Sequence, residues 1–323
     1  MNDTGSLRVV VIDGGYDSYS TEQEILAPYG ARIEVRPCER DALLVSAAVA
    51  GADAVLVRES PVGAAAMDLM PRCRAIVRYG IGVDNIDLEA ARERHIYVAN
   101  VPDYGSEEVS DHALALLLAV VRRIASRDRA VRAGAWNLAR TQKMHRVAGR
   151  TLGLVGYGRI ARSFERKMRG IGTNRVLAYD PFAEPAADVE MVSLETLCRE
   201  ADFISVHAPL LAQTRHLIDA RCISLMKPTA VIVNTARGAL IDEAALVEAL
   251  RAERILGAGI DVYESEPPAP DHPLFGLDNV VLSDHTGWYS EESVAELQTK
   301  AAQELARVLS GKQPLNWLNR WDK

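Results

Sequence analysis

The sequence predicts an α/β protein made of two doubly wound parallel sheets. Short apolar runs alternate with helical stretches almost from end to end. One strand-to-helix junction carries Gly156-Tyr-Gly-Arg-Ile-Ala161, with Asp180 closing the next apolar segment. The chain has 323 residues, long enough for two cores.

In the first hundred residues the apolar runs predict strands at Arg8–Ile12, Arg32–Val35, Ala54–Val57, Ala75–Arg78 and Tyr97–Ala99, with helices such as Arg40–Ala50 and Asp87–Arg94 between them. Ser106–Arg123 then reads as one long helix, with Glu107 and Glu108 in its first turn and Arg122 and Arg123 in its last, charges that suit the helix dipole. Its middle, His112 to Val121, is apolar nearly all round, which predicts burial on several sides and a place at a domain or subunit boundary. A second series follows, with strands near 152–155, 176–179, 203–206, 230–233, 256–260 and 279–282. Arg159–Arg169 reads as a helix, and the last helical pattern, Glu291–Leu309, stops at Gly311. The domain reading is discontinuous: residues 1–103 with 290–323 as a substrate-binding domain, and 104–289 as a dinucleotide domain.

Composition narrows the function classes. Apolar residues make up 48% and charged residues 25%, as in ordinary globular proteins, and a net charge of −7 gives no reason to expect nucleic acid. The longest apolar run, Ala113 to Val121, is too short to cross a bilayer, and the polar start Met1–Leu7 leads almost directly into a strand, so no signal peptide is expected. Cys38, Cys73, Cys198 and Cys222 are scattered without metal-like spacing, so no metal is expected and buried thiols in a reducing cytoplasm are.

The glycines at 156 and 158 permit a tight turn and let backbone approach a diphosphate, which the N-terminus of the following helix attracts. Arg159 and Ile160 open that helix, and Ala161 suits close helix–strand packing. Asp180 stands where a carboxylate accepts from the adenosine ribose hydroxyls, and its charge repels a 2′-phosphate, so NAD is expected over NADP. Arg237, Glu266 and His285 each follow a strand of the second series. Ligands of open parallel sheets bind outside the carboxyl ends of the strands, so these groups are expected at one edge. Reducing a 2-oxo acid needs a proton donor at the oxygen and a clamp for the carboxylate; a histidine backed by an acid and an arginine fork supply them. Asp261 and Asp284 compete with Glu266 as the partner of His285, and spacing alone does not choose. Taken singly, each of these residues is more often structural; their joint placement is the signal.

Four ordered motifs, Gly153-Leu-Val-Gly-Tyr-Gly-Arg-Ile-Ala161, Asn234-Thr-Ala-Arg-Gly238, Asp261-Val-Tyr-Glu-Ser-Glu-Pro267 and His285-Thr-Gly-Trp-Tyr-Ser290, resemble the D-isomer-specific 2-hydroxyacid dehydrogenase family across essentially the whole chain. Arg78-Tyr-Gly-Ile-Gly-Val-Asp-Asn-Ile-Asp87 and Trp288-Tyr-Ser-Glu291 resemble its C-terminal-binding-protein branch. The resemblance implies a flavodoxin-like substrate domain and a Rossmann NAD domain with a cleft between them, and it places the catalytic trio on Arg237, Glu266 and His285. It further implies cofactor contacts at His207, Pro209 and Thr214 on the adenosine side and at Thr235, Ala236, Asp261 and Gly287 toward the nicotinamide. The substrate would meet the loop Arg78, Tyr79, Gly80 and Ile81, with Trp288 lining the pocket and Tyr104 nearby. A cytoplasmic homodimer acting on a small 2-oxo or 2-hydroxy acid is expected, with the helix at Ser106–Arg123 near the two-fold. Two other readings stay open: an NAD(H)-sensing scaffold that binds peptides, as corepressors of that branch do, and a phosphite-type dehydrogenase. Formate oxidation is disfavoured, because formate enzymes of the family pair the histidine with glutamine.

Overall fold

The computed structural model describes residues 6–13, 15–136, 142–184 and 186–321; the polar start Met1–Gly5 lies outside them. The chain forms two compact units, Met1–Tyr104 with Ser290–Lys323, and Gly105–Tyr289. Each is an α/β unit around an all-parallel sheet.

The first unit contains β1 (Leu7–Ile12), β2 (Ala31–Arg36), β3 (Ala54–Val57), β4 (Ala75–Arg78) and β5 (Tyr97–Ala99), in the order β2-β1-β3-β4-β5. That is the 2-1-3-4-5 order of flavodoxin-like sheets. Val9 to Ile12 and all of β3 are buried, as expected where helices cover both faces. Val10, Ile12, Val55, Val57, Ile76 and Val98 pack with Val45, Val49 and Met67 of the helices on one side. The helix Glu291–Leu309 belongs to this unit: Arg74 donates to the carbonyls of Val308 at 2.6 Å and Leu309 at 3.3 Å. It starts in a capping box between Ser290 and Ser293, and Gly311 takes a φ of 83° just beyond its end.

The second unit contains β6 (Thr151–Val155), β7 (Arg175–Tyr179), β8 (Glu190–Met191), β9 (Phe203–Val206), β10 (Val231–Asn234), β11 (Gly257–Ile260) and β12 (Val280–Leu282). Their order, β12-β11-β10-β9-β6-β7-β8, is the Rossmann 3-2-1-4-5-6 sequence read from the far edge, extended by one strand. Alternate residues feed the two cores: Leu154, Val176, Phe203 and Val231 face one side, and Val155, Leu177, Ile204 and Ile232 the other. Apart from β8, which is two residues long, each strand lies within one residue of its predicted ends at either end.

The long helix differs from its reading. It runs Ser106–Val121, and Arg123 adopts a left-handed φ of 58° before a further helix, Ile124–Arg132. The Arg123 amide bonds back to the Val120 carbonyl at 3.1 Å, a helix stop normally given to glycine. Burial is one broad stripe (Val109, Ala113, Leu116, Leu117, Val120, Val121) rather than all round, with Asp111 and Ala115 exposed. Two glycines of β11 explain how closely this helix sits. A Cβ on Gly259 would stand 2.8 Å from Leu116 Cβ, and one on Gly257 would stand 2.7 Å from Val120 Cγ1.

The four cysteines are buried, free thiols. Among the described residues, no helix is long and apolar enough to cross a membrane and no cluster of His, Cys, Asp and Glu is placed to hold a metal.

Candidate active site

The C-terminal edge of the second sheet gathers the groups singled out from the sequence. At the end of β6, Gly156 takes a φ of 86°, and a Cβ there would meet the Ala208 amide nitrogen at 2.6 Å. This glycine therefore lets the loop after β9 close against the loop after β6, which is where the strand order reverses. Gly158 is different: a Cβ there would meet nothing within 4 Å. It precedes the helix Arg159–Gly170, whose first turn has no side-chain cap, leaving helix N–H groups for an anion. Arg159 is exposed, Ile160 is half-buried and Ala161 is fully enclosed.

Asp180 is held before any ligand arrives. Its Oδ2 accepts from the Tyr157 amide at 2.9 Å, and its Oδ1 accepts from Phe182 at 2.8 Å and Ala183 at 3.1 Å. Oδ2, with a single donor, keeps capacity for a further one such as a ribose hydroxyl. Tyr157 itself turns inward: its hydroxyl donates to Glu165 at 2.6 Å, and Arg162 lies 4.1 Å over its ring.

On the loop after β9, burial pushes the His207 imidazole down to about 3, so the ring is neutral. Its Nε2 is enclosed without a partner, as are Thr235 Oγ1 after β10 and Ser205 Oγ in β9. Orphaned buried polar atoms at a ligand-binding edge are what a bound dinucleotide can satisfy. Thr214 uses its hydroxyl inside its own loop, donating to Pro209 O at 2.7 Å and accepting from the Leu211 amide at 2.7 Å.

Three adjacent strands deliver the reactive groups. After β10, Asn234 braces the turn: its Oδ1 accepts from Ala236 at 3.0 Å and its Nδ2 donates to Arg237 O at 2.9 Å. Arg237 donates from a guanidinium nitrogen to Ala236 O at 2.8 Å. Gly238 is required by close approach, since a Cβ there would fall 1.9 Å from the Tyr263 carbonyl carbon. The Asn-Thr-Ala-Arg-Gly motif thus seats Arg237 directly beside the loop after β11. In that loop Glu266 accepts from the Tyr263 amide through Oε1 at 3.0 Å and meets His285 Nδ1 through Oε2 at 2.7 Å. His285 follows β12 with a φ of 58°. Glu266, not Asp284, is therefore its partner; Asp284 is exposed and accepts from Thr286 Oγ1 at 3.0 Å. With Nδ1 facing a carboxylate, Nδ1 carries the hydrogen and Nε2 is left for chemistry.

Asp261 is 1% exposed. Its Oδ1 accepts from Ser283 Oγ at 2.6 Å and from the Thr286 amide at 3.1 Å, and its Oδ2 accepts from the Gly287 amide at 3.0 Å. Burial alone would raise its pKa, but the His112, Ser283 and Gly287 donors outweigh that and hold it below the usual carboxylate range. His112, in the helix Ser106–Val121, was not singled out from the sequence; inside an apolar helix it carries no signal of its own.

In the first unit, Arg78 ends β4, and Gly80 has a φ of 135° with Arg78 folded over it, so that a Cβ would fall 1.3 Å from a guanidinium nitrogen. The loop is tied by Asn100 Nδ2 donating to Ile81 O at 2.6 Å and by Val101 N donating to Gly80 O at 3.0 Å. Tyr79 is a correction to the expected pocket side chain. It is 1% exposed, and its hydroxyl donates to buried Glu22 at 2.8 Å, which also accepts from Gln298 Nε2 at 3.0 Å. Tyr104 is 6% exposed. Trp288, in the second unit, is half-buried and packs edge-on against Tyr289 at 5.8 Å.

Residues 114–287 match the family model of the D-isomer-specific 2-hydroxyacid dehydrogenase NAD-binding domain. A glyoxylate reductase of Korarchaeum cryptofilum is 41% identical over 267 residues, 80% of each chain. The chain belongs to the D-isomer-specific 2-hydroxyacid dehydrogenases. A D-3-phosphoglycerate dehydrogenase of Mycobacterium leprae is 38% identical over 90% of this chain, which spans 55% of that longer enzyme. Among solved structures, a glyoxylate reductase from Paecilomyes thermophila superposes with a TM-score of 0.86 at 27% identity, over 97% of this chain and 98% of that one. An acyclic imino acid reductase in complex with NADPH and D-Arg gives a TM-score of 0.87 at 27% identity, over 97% and 100%. The 2-hydroxyacid dehydrogenases are NAD-dependent oxidoreductases, and the edge just described lies in their NAD-binding domain.

Proposed function

We propose that this chain reduces a small 2-oxo acid to the D-2-hydroxy acid with NADH, or runs the reverse oxidation. The observation that carries the reading is His285 Nδ1 held on Glu266 Oε2 at 2.7 Å beside the braced Arg237 turn, on neighbouring strand ends of an NAD-binding domain.

In reduction, His285 Nε2–H hands its proton to the carbonyl oxygen as that oxygen becomes a hydroxyl, and Glu266 stabilises the imidazolium before the transfer. NADH, when bound, supplies the hydride to the carbonyl carbon. Arg237 clamps the substrate carboxylate and polarises the ketone, because its fork matches two acceptor oxygens. The uncapped helix start at Gly158, Arg159 and Ile160 would hold the dinucleotide's diphosphate, and Asp180 would accept from its adenosine ribose. His207, Pro209 and Thr214 would flank the cofactor's adenosine side, and Thr235, Ala236, Asp261 and Gly287 its nicotinamide side. The family resemblance also assigns substrate contacts to Arg78, Tyr79, Gly80 and Ile81, and pocket lining to Trp288.

The Arg78–Asp87 and Trp288–Glu291 motifs support a place near the C-terminal-binding-protein-like members. A homodimer is part of the reading: Ile124, Val131 and Trp136 are 58%, 48% and 77% exposed on and after the helix Ile124–Arg132, which has no buried residue of its own. The deciding experiment is NADH oxidation against a panel of 2-oxo acids (glyoxylate, hydroxypyruvate, aliphatic and thioether acids), with phosphite and NAD in a parallel arm. Turnover of one or more oxo acids that is lost in His285→Asn supports the proposal. NADH binding without turnover of any panel member overturns it in favour of a dinucleotide-sensing scaffold.

A further inference from the structure

The helix Ser106–Val121 brings a histidine to the loop that carries His285, and we infer that His112, acting through Ser283 and Asp261, is the positioning residue of the proton donor. This rests on the assignment of His285 as that donor.

The geometry is a closed relay. Leu116 and Val120 seat the helix on Gly259 and Gly257 of β11, and His112 lies one turn earlier on the same stripe, at the strand's C-terminal end. There His112 Nε2 is 2.8 Å from Ser283 Oγ and 3.3 Å from Asp261 Oδ1. Ser283 has one hydroxyl hydrogen, and its 2.6 Å contact to the carboxylate uses it. His112 Nε2 must then be protonated and donate to Ser283. Asp261 in turn takes the amides of Thr286 and Gly287 on its two carboxylate oxygens, while its own carbonyl accepts from the His285 amide at 2.8 Å. The residue between these anchors, His285, holds a left-handed φ of 58° that a side-chain-bearing residue rarely adopts. Such a backbone persists only where its surroundings over-determine it, and three successive amides on one aspartate do so. Gly287 completes the fit: a Cβ there would lie 2.9 Å from Asp261 Oδ2 and 3.3 Å from the His112 ring. Asp261 is thus more than a cofactor contact. It is the hub that aims His285 Nε2, and His112 fixes the hub.

The test compares His112→Leu, which deletes the donor, with His112→Gln, whose amide nitrogen reaches the same place, and with Ser283→Ala, which breaks the relay without touching the helix. We expect His112→Leu and Ser283→Ala to lower kcat by about tenfold to a hundredfold, the effect of a small misplacement of a reacting group. KM for NADH stays within about twofold, and His112→Gln recovers most of the loss. In the protein without ligand, the ¹H–¹⁵N signals of the His285 ring, identified by their absence in His285→Asn, should move or broaden in the two disrupting variants and return in His112→Gln. Unchanged His285 signals overturn the inference, as does a fall in kcat in His112→Leu that His112→Gln fails to restore. If the wild-type protein reduces no 2-oxo acid, the dehydrogenase reading falls, while the ring signals still decide whether His112 positions His285.

Discussion

The proposed reaction gives Arg237 and His285 different jobs, and different substitutions expose them. Arg237→Lys keeps a charge but loses the fork, so kcat/KM should fall by about a hundredfold or more while NADH still quenches or enhances fluorescence at wild-type concentrations. His285→Asn should lose about 10²–10⁴-fold in kcat with KM for NADH unchanged. Asp180→Ser should weaken NADH binding by about tenfold and NADPH binding by less; an unchanged ratio of the two would mean that another residue sets cofactor choice. The strand-end positions of the trio and Asp180 were legible because each follows an apolar run at a spacing that chemistry explains. Tyr79 and His112 were misjudged or missed for one reason: a sequence places a residue on a loop or helix but does not say which way its ring turns. Tyr79 turns inward to Glu22, and His112 turns toward Asp261.

At the scale of elements, two glycines near the nucleotide edge carry opposite expectations. Gly259→Ala puts a Cβ 2.8 Å from Leu116 Cβ, so the helix Ser106–Val121 must shift. Overpacking of that kind costs about 1–3 kcal/mol and should lower the melting temperature of the protein. Gly158→Ala meets nothing within 4 Å, so its melting temperature without ligand should match wild type while NADH binding weakens. Were Gly158→Ala to unfold early and bind normally, the open space at the helix start would not be the diphosphate seat. Strand positions were readable because fully buried parallel strands are unbroken apolar runs. The break at Arg123 was not, since a left-handed helix stop without glycine has no composition signal. Nor was β8, whose two residues are too short for any periodicity.

For the whole molecule, acid should erode stability through His207 and Asp261. Burial pushes His207 down to about 3 from an ordinary value near 6.5, so the unfolded chain binds a proton that the folded protein refuses. That contribution is complete above about pH 6.5 and shrinks as pH falls toward 3, by up to about 1.4 kcal/mol per pH unit. Asp261, also depressed, adds a loss lower down, as pH falls through the carboxylate range. Urea titrations at pH 7, 6 and 5 should show wild type losing stability more steeply than His207→Gln; parallel lines would refute the assignment. Light scattering should give twice the chain mass, and Val131→Arg with Trp136→Arg should halve it. A wild-type monomer would remove the dimer from the proposal.

The first unit is stitched from both ends of the sequence: Gln298 reaches the Ser18 carbonyl at 2.8 Å, and Asn319 holds the Val98 amide at 2.9 Å. As the ribosome works from N- to C-terminus, the dinucleotide-binding half emerges whole before those tethers exist. Residues 6–104 must wait beside an already foldable neighbour, with β4 still lacking the helix Glu291–Leu309 that packs against it. Biogenesis of this enzyme therefore has a vulnerable interval, set by the time needed to translate about 185 residues, during which a complete but incompletely covered sheet is a natural client for chaperones.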